Sequence, residues 1–251
     1  MRNFRIDIQY DGRRYNGWQR QGNTQNTIQG KIEQILTRMT GHAVTINGAG
    51  RTDAGVHAQA QTANFKIQTE LSAQEIQSYI NLYLPADILI TRCMEVEDRF
   101  HARLNAVGKT YTYRLCDTGK PDVFRRYYVC AWEKKLDESA MQKAAGYLIG
   151  THDFRAFSSV NKRFKKSTVR TIESIEIQRS GNELSMTFTG NGFLYNMVRI
   201  LAGTLTEVGE GKRKPEDMPN ILKSLDRQQA GITMPPNGLT LERVYYPNEI
   251  Q

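Results

Sequence analysis

The hydrophobic residues in the first half of the chain switch several times between the alternating pattern of a strand and the spacing of a helix. This switching restricts the folds that the chain can adopt. Apolar and polar residues alternate over 4–10, which is typical of a strand with one buried face. Apolar residues recur at helical spacing from Ile28 to Met39, with Asn26 or Thr27 as the cap and Gly41 as the stop. The further predictions are a short strand at Val44 and Ile46, a strand over 63–67, a helix from about Ser72 to Leu84, and a strand over 87–96. This order indicates an α+β domain with helices on one face of a mainly antiparallel sheet.

The second half repeats this arrangement loosely. Residues 108–115 alternate and are rich in β-forming side chains, so they predict a strand. The other predictions are a helix through Met141 and Leu148 that ends at Gly150, a pair of strands over 171–178 and 183–189 around Ser180-Gly181-Asn182, and a helix over 194–208. We place the boundary near residue 105, which gives an N-terminal α+β domain over 1–105 and a C-terminal α+β domain over 106–251.

Composition favours a folded protein of the cytoplasm. The 251 residues are 39% hydrophobic and 24% charged, which suits a globular chain. The sequence has no apolar run of the ~18 residues that a membrane helix needs, and its first residues lack the apolar stretch of a secretory signal. Three widely spaced cysteines and four scattered histidines have neither disulfide nor metal-site spacing, so we expect no metal.

The charge balance indicates a polyanionic partner. Thirty-four Lys and Arg residues against twenty-six Asp and Glu residues give a formal net charge of +8. Such an excess favours nucleic acids, because phosphate contacts release counterions. The segment 161–170 contains five cations around Phe164, and given the overall charge we favour phosphate contact for it over a merely solvated loop.

The segment 48–58 carries the strongest chemical signal. It reads Gly-Ala-Gly-Arg-Thr-Asp-Ala-Gly-Val-His-Ala and places the acid Asp53 two residues after Arg51, between Gly50 and Gly55. Glycines allow unusual backbone conformations, and an arginine can hold a carboxylate ionised or grip a phosphate. Asp53 is therefore a candidate nucleophile or base, unless the loop is merely a salt-bridged connection. A dinucleotide site is excluded, because the third glycine of that motif is missing and the acid would repel a pyrophosphate.

Further candidate residues lie in the second half. Alternation places Lys109, Tyr111 and Tyr113 on one face of the strand 108–115, where an aromatic ring could stack a base. One of the two tyrosines is expected to be ordinary core packing. Arg199 follows a glycine-rich helix start and could supply a second cation to a carboxylate, or be a surface arginine. For Asp153 we favour a capping or packing role.

These motifs together resemble the TruA family of tRNA pseudouridine synthases. The resemblance extends over nearly the whole chain and is carried by an ordered series of motifs, which makes it highly specific. The motifs are Tyr10-Asp11-Gly12 with Tyr15-Asn16-Gly17-Trp18-Gln19, the loop 50–58, Phe100-His101-Ala102-Arg103, Lys109-Thr110-Tyr111-Thr112-Tyr113-Arg114, Gly150-Thr151-His152-Asp153-Phe154, and Phe193-Leu194-Tyr195-Asn196-Met197-Val198-Arg199.

The resemblance implies a fold, an activity and a set of roles. The fold would be that of the pseudouridine synthases: two α+β halves, each with a mainly antiparallel sheet, and an active-site cleft between them. The activity would be isomerisation of uridine to pseudouridine at positions 38, 39 and 40 of the tRNA anticodon stem-loop, without metal or cofactor and by a homodimer. Asp53 would be the catalytic residue, and Tyr111, Arg51 and Arg199 would bind the substrate.

Two other function classes can be distinguished from this one. A non-catalytic tRNA-binding or chaperone protein on the same fold would bind tRNA without changing its nucleosides. A metal-assisted nuclease would need two or three carboxylates converging on a cation, and the loop offers one acid.

Overall fold

The computed structural model describes residues 1–161 and 164–247. Two compact units divide the chain: the first comprises Met1–Val107 and the chain from Leu241, and the second comprises Gly108–Thr240. Within the described residues, no helix combines the length and apolar character that crossing a bilayer requires. Two residues of the basic segment 161–170, Lys162 and Arg163, lie outside the described residues.

The first unit contains an antiparallel sheet. Its strands are β1 (Arg2–Tyr10), β2 (Asn47–Gly48), β3 (His57–Ile67) and β4 (Ile88–Val96). The order is β4-β1-β3, and β2 pairs with β3. Phe4 is in register with Phe65, both are fully buried, and their rings stack at 5.8 Å. The alternation over 4–10 therefore has the predicted cause, which is one face of β1 packed in the core.

The helices of the first unit begin and end at the predicted signals. Helix α1 (Ile28–Thr40) is capped by Thr27, whose Oγ1 accepts the Gly30 N–H at 3.2 Å, and it ends at Gly41 with a φ of 75°. Helix α2 (Ala73–Tyr83) begins with a capping box between Ser72 and Glu75. Each cap satisfies backbone donors that the first turn leaves unpaired.

The predicted strand at Val44 and Ile46 is wrong. Both side chains are buried, but the strand in this region is β2, which follows them. The Ile46 N–H donates to Glu33 Oε1 at 3.0 Å and the Val44 N–H donates to Thr37 Oγ1 at 3.3 Å. These backbone donors bond to side chains of α1, so they do not join a strand ladder.

The second unit also consists largely of antiparallel strands. It contains β5 (Gly108–Cys116), β6 (Cys130–Ala131), β7 (Gly150–Asp153), β8 (Val169–Ser180) and β9 (Glu183–Gly190). The order is β5-β9-β8-β7, antiparallel throughout, and the short β6 runs parallel to β5. The turn between β8 and β9 falls at Gly181, with a φ of 61°, as the sequence predicts. Both units thus confirm the mixed α+β class with mainly antiparallel pairing.

The helices of the second unit differ from prediction at their ends. They are α3 (Glu138–Gly146), α4 (Met197–Gly209) and α5 (Met218–Ser224), and the last strand of the chain is β10 (Leu239–Tyr245). The predicted start of α4 at Leu194 is wrong, because Asn196 adopts a left-handed conformation with a φ of 60° that separates residues 194–195 from the helix. Likewise α3 ends at Gly146, and Gly150 instead begins β7. The sequence patterns do not indicate β6, β7, α5 or β10.

Candidate active site

The Asp53 loop is anchored to the sheet at both ends. It leaves β2 after Gly48 and enters β3 at His57, and the Ala49 N–H donates to the Thr62 carbonyl at 2.7 Å. Inside the loop, the Val56 N–H donates to the Asp53 carbonyl at 3.1 Å, which closes a turn. Gly55 has a φ of 81° at the third position of this turn, where a side chain would be strained. Asp53, which is half-buried, is therefore placed by a defined backbone turn.

The segment from Gly12 to Trp18, also in the first unit, packs against the Asp53 loop and supports it. The Trp18 N–H donates to the Thr52 carbonyl at 3.0 Å. At Gly17, which has a φ of 88°, an added Cβ would lie 2.7 Å from the Thr52 oxygen and 3.1 Å from the Asp53 carbonyl carbon. At Gly12 an added Cβ would lie 1.9 Å from the Val56 oxygen. The two segments therefore touch backbone to backbone, which only glycine permits at this separation.

Buried polar groups complete this support. Thr52 Oγ1 and the Tyr10 hydroxyl are 2.7 Å apart in a hydrogen bond, and burial raises the pKa of Tyr10 far above its ordinary value. Gln61 donates through Nε2 to the Gly50 carbonyl at 3.1 Å. The sequence indicates no supporting role for Thr52 or Gln61, because neither contact follows a sequence spacing. The signal for Tyr10 was its place in the motif 10–19.

Arg51 is exposed, whereas Asp53 is half-buried. The Arg51 side chain is exposed, and its Nε donates to Gln19 Oε1 at 3.2 Å. Gln19 belongs to the same motif as Trp18, so this segment orients both the backbone of the loop and its arginine. An exposed guanidinium held at one nitrogen retains other donors for a phosphate or a base.

Tyr111 and Arg199 belong to the second unit. Tyr111 lies in β5, opposite Phe188 of β9, and is 7% exposed. Its ring meets the Phe193 ring edge-on, with centroids 5.4 Å apart and an interplanar angle of 85°. The neighbouring Tyr113 is fully buried and donates its hydroxyl to the Pro235 carbonyl at 2.9 Å, so it has the core role expected for one of the two tyrosines.

Arg199 is a half-buried residue in the first turn of α4. Its Nε donates to the Met234 carbonyl at 2.7 Å, and its Nη1 donates to Asn196 Oδ1 at 3.0 Å. Asn196 is itself held by Ser159 Oγ, to which its Nδ2 donates at 3.0 Å. The Met234 and Asn196 oxygens are neutral acceptors, and the two hydrogen bonds fix the direction of the guanidinium.

The remaining motifs act as local supports. Asp153 Oδ1 accepts the N–H of Arg155, two residues further along the chain, at 3.0 Å. In the motif 100–103, the Ala102 N–H donates to Asn64 Oδ1 at 2.9 Å and ties that segment to β3. Among the described residues, no three His, Cys, Asp or Glu side chains are grouped so that they could hold a metal ion.

Comparison with known proteins places these features in one family. A family model described as tRNA pseudouridine synthase matches residues 7–105 and 144–247. The match includes the Asp53 loop, the segment that supports it and Arg199, whereas Tyr111 falls between the two matched ranges.

Full-length relatives agree with the family model. A protein of Bacillus sp. (strain KSM-64) named tRNA pseudouridine synthase A is 48% identical over 246 residues, which cover 98% of this chain and 100% of that protein. Proteins named tRNA pseudouridine synthase A 2 from Bacillus cereus (strain ZK / E33L) and Clostridium perfringens (strain 13 / Type A) are 45% and 44% identical, with the same coverage. The chain is therefore an isomerase that belongs to the TruA family of tRNA pseudouridine synthases.

Proposed function

We propose that this protein converts uridine to pseudouridine at positions 38, 39 and 40 of the anticodon stem-loop of tRNA. The observation that supports this most strongly is the half-buried carboxylate of Asp53, held on a glycine-dependent turn in the sequence context of this family. The net charge of +8 suits a polyanionic substrate.

The reaction requires the bond between N1 of the base and C1′ of the ribose to break. The base then turns, C5 bonds to C1′, the proton of C5 leaves and N1 gains a proton. A carboxylate can attack or deprotonate the sugar, or add to C6 of the ring. Each route requires Asp53 to be ionised, and a partly buried carboxylate stays ionised when cations and donors compensate it.

We assign substrate-binding roles to Arg51, Arg199 and Tyr111. Arg51 is exposed and anchored at a single nitrogen, which suits contact with the RNA. Arg199 is held in direction by hydrogen bonds to the Met234 carbonyl and Asn196, which suits it to meeting an anionic group. Tyr111 offers a ring for stacking on the uracil while it turns, or a hydroxyl for the C5 proton. The target uridine must leave its stack, and a nucleotide in a loop or at the end of a stem costs least to extrude.

Tritium release tests the chemistry. The purified protein is incubated with tRNA that carries [5-³H]uridine, because forming the new bond at C5 frees the label. We expect release with the wild-type protein and none with Asp53→Asn, which keeps the size of the side chain and removes its charge. Asp98→Asn, an exposed aspartate that pairs with Lys66, is the matched control and should react normally. Turnover in Asp53→Asn would refute the role of Asp53.

The same assay separates the rival classes. A non-catalytic tRNA-binding protein would bind the labelled tRNA in a salt-dependent way without releasing tritium. A nuclease would shorten the tRNA and stop when a chelator is added.

The position of the product requires separate mapping. Carbodiimide treatment followed by reverse transcription stops one nucleotide before each pseudouridine. We expect stops for positions 38, 39 and 40, and each should disappear when the tRNA carries cytidine there. Stops only outside the anticodon stem-loop would refute the assigned site while leaving the reaction class intact.

We also propose that the enzyme is a cytoplasmic homodimer, on the basis of its resemblance to the family. Light scattering coupled to size exclusion would measure the mass of the purified protein. A mass near twice 28.7 kDa is expected, and a monomer at micromolar concentration would contradict the dimer.

A further inference from the structure

A cationic groove lies in the first unit beside the segment that supports the Asp53 loop. Its volume is about 470 Å³. It is lined by Arg14, Tyr15, Asn26, Lys31, Gln34, Ile35 and Tyr83, with Leu84 and Pro85 at the end of α2. None of these lining residues carries a carboxylate, so the groove has a net positive charge.

Helix α1 lines this groove with Lys31 and Ile35, and Arg38 lies beside it, stacked on the lining residue Tyr83. Lys31, Ile35 and Arg38 are spaced by four and three residues, so they share a helical face. Ile35 is buried beneath, and Lys31 and Arg38 remain at the surface. Across the part of the chain that the structure describes, neither cation has a carboxylate within salt-bridge distance or a side-chain hydrogen bond.

Helix α2 supplies an aromatic platform for Arg38. The Arg38 guanidinium lies over the Tyr83 ring, 4.3 Å from its centroid, and Tyr83 packs against Tyr79 at 4.9 Å. A guanidinium stacked on a ring keeps its N–H donors in its own plane, directed away from the ring. Tyr83 therefore contacts one face of the Arg38 guanidinium and leaves its hydrogen-bonding edge available to an anion.

The other wall of the groove is also held in place. Asn26 donates to the Arg14 carbonyl, and the Asn16 N–H donates to the Asn26 carbonyl at 2.9 Å. The Arg14 side chain is 76% exposed, and Asp87, 3.7 Å from it, also accepts a hydrogen bond from the Tyr15 hydroxyl. The backbone that carries Arg14 is thus fixed, while its guanidinium is largely solvated.

The groove is close to the Asp53 loop along the chain. Arg14 precedes Gly17 by three residues, and three residues span at most about 11 Å. Gly17 contacts the backbone of Thr52 and Asp53 directly. A nucleic acid that presents a uridine to Asp53 would therefore bring adjacent nucleotides within reach of the groove.

We propose that this groove binds the phosphodiester backbone of the RNA next to the modified nucleotide, with Arg14, Lys31 and Arg38 as the phosphate contacts. The inference rests on the proposed function, because it takes tRNA as the substrate. Its ligand is recognised by charge and by the spacing of phosphates, so the groove contributes affinity without reading the bases.

Salt dependence of tRNA binding tests the proposal. Each phosphate contact contributes about threefold to the loss of affinity between 50 and 200 mM salt, since six to ten contacts lose roughly 10³–10⁵. We compare the wild type with the triple variant Arg14→Gln, Lys31→Gln, Arg38→Gln. Between 50 and 200 mM salt, the drop in the affinity of the variant should be about 30-fold smaller than that of the wild type. At 50 mM salt the variant should also bind more weakly. Lys223→Gln is the control, since Lys223 is exposed on α5 and forms no ion pair among the described residues. It should leave both quantities unchanged.

The aromatic platform gives an independent test. Tyr83→Leu should weaken tRNA binding as much as Arg38→Gln does, and the double variant should be no weaker than either single one, because both changes disable the same contact. Tyr83→Phe retains the ring and should bind normally. Circular dichroism and thermal melting establish that each variant is folded. Additive effects of Tyr83→Leu and Arg38→Gln would contradict the platform.

The outcomes separate this proposal from the proposed function. If the triple variant binds tRNA with the wild-type salt slope while Asp53→Asn abolishes tritium release, the groove proposal is overturned and the function stands. If the wild type releases no tritium but the triple variant still loses salt sensitivity, the groove stands and the function fails. A change in sedimentation with unaltered tRNA affinity would assign the groove to a second protein copy and overturn the proposal.

Discussion

The backbone N–H of Trp18 donates to the carbonyl of Thr52 at 3.0 Å, so a residue distant in sequence fixes the backbone immediately before Asp53. The Trp18 ring also covers Gly48, where an added Cβ would lie 2.5 Å from the indole nitrogen. Trp18 thus contacts the loop at Gly48, where the loop begins, and again at Thr52, the residue before Asp53. The direction of Asp53 therefore depends on backbone contacts, which persist when nearby surface side chains change.

Replacing Gly17 by alanine should impair turnover more than tRNA binding. Gly17 has a φ of 88°, and the new Cβ would lie 2.7 Å from the Thr52 oxygen, so the two segments must separate. Small misplacements of a catalytic group can lower rates about 10²-fold. We expect kcat to fall by about that factor, the free energy of unfolding to fall by about 1–2 kcal/mol, and the Kd for tRNA to change little.

Gly22→Ala is the control for this change. Gly22 lies in the same stretch of chain, and an added Cβ there meets nothing within 4 Å. It should be as active as the wild type. Equal losses in the two variants would show that the segment, and not the contact of Gly17 with the loop, limits the enzyme.

Tyr111→Phe should separate the two roles of this tyrosine. The ring is held by its edge-on contact with Phe193 and by its place in β5, so phenylalanine should keep the same position. If the hydroxyl helps to remove the C5 proton, kcat falls by about 10²-fold or more with an unchanged Kd for tRNA. We expect this result, measured by single-turnover tritium release. A rate within about threefold of the wild type would assign the residue to stacking, and then Tyr111→Leu should lose the roughly 1–3 kcal/mol of a stacked base.

The sequence predicted local features well, because they depend on neighbouring residues. The period-two pattern of β1, the Thr27 cap and the Gly41 stop are each determined within a few positions. Asp53 could be singled out because its glycines and Arg51 are adjacent to it in the chain.

Contacts between distant segments could not be predicted in this way. The buried residues Val44 and Ile46 have the hydrophobicity of a strand, but their backbone donors bond to Glu33 and Thr37 of α1. The Leu194 pattern continues helical spacing into a region where Asn196 turns the backbone to a φ of 60°. Hydrophobic periodicity reports which side chains are buried and carries no information on the partner of each N–H.

Arg199→Lys should lower turnover although it conserves the charge. Arg199 reaches the Met234 carbonyl and Asn196 through two different nitrogens, and a single ammonium cannot reproduce this fork. Hydrogen bonds from charged groups contribute about 1.5–3 kcal/mol, so we expect kcat/KM to fall by roughly 10–100-fold if their loss misdirects the cation. Arg227→Lys is a matched control, because Arg227 also donates to a carbonyl and a neutral oxygen, those of Ala230 and Thr233. Equal activity of Arg199→Lys and wild type would exclude a directional role.

Asp117 and Arg179 should make the stability of the protein depend on pH below about pH 4. The Asp117 side chain is fully buried, and each of its oxygens accepts a hydrogen bond from Arg179 at 2.9 Å. Burial alone would raise the pKa of Asp117, but the Arg179 and Leu136 donors outweigh it and lower the pKa below its ordinary value. Because the folded pKa is the lower one, this stabilisation is complete above the unfolded value of about 3.9 and is lost as the pH falls through the folded pKa.

Urea unfolding of Arg179→Met between pH 7 and about pH 4 measures the effect. Removing the guanidinium leaves a buried carboxylate without its main partner, which typically costs 3–5 kcal/mol. At pH 7 we expect the free energy of unfolding of Arg179→Met to lie below that of the wild type by this amount. The difference should shrink towards pH 4, because protonation of Asp117 removes the unpaired charge. At this site acid therefore favours the variant, whereas it destabilises the wild type. Asp98→Asn, in an exposed pair with Lys66, should unfold like the wild type across the range. A deficit in Arg179→Met that is constant with pH would mean that lost packing of the arginine stem, and not the Asp117 charge, accounts for the destabilisation.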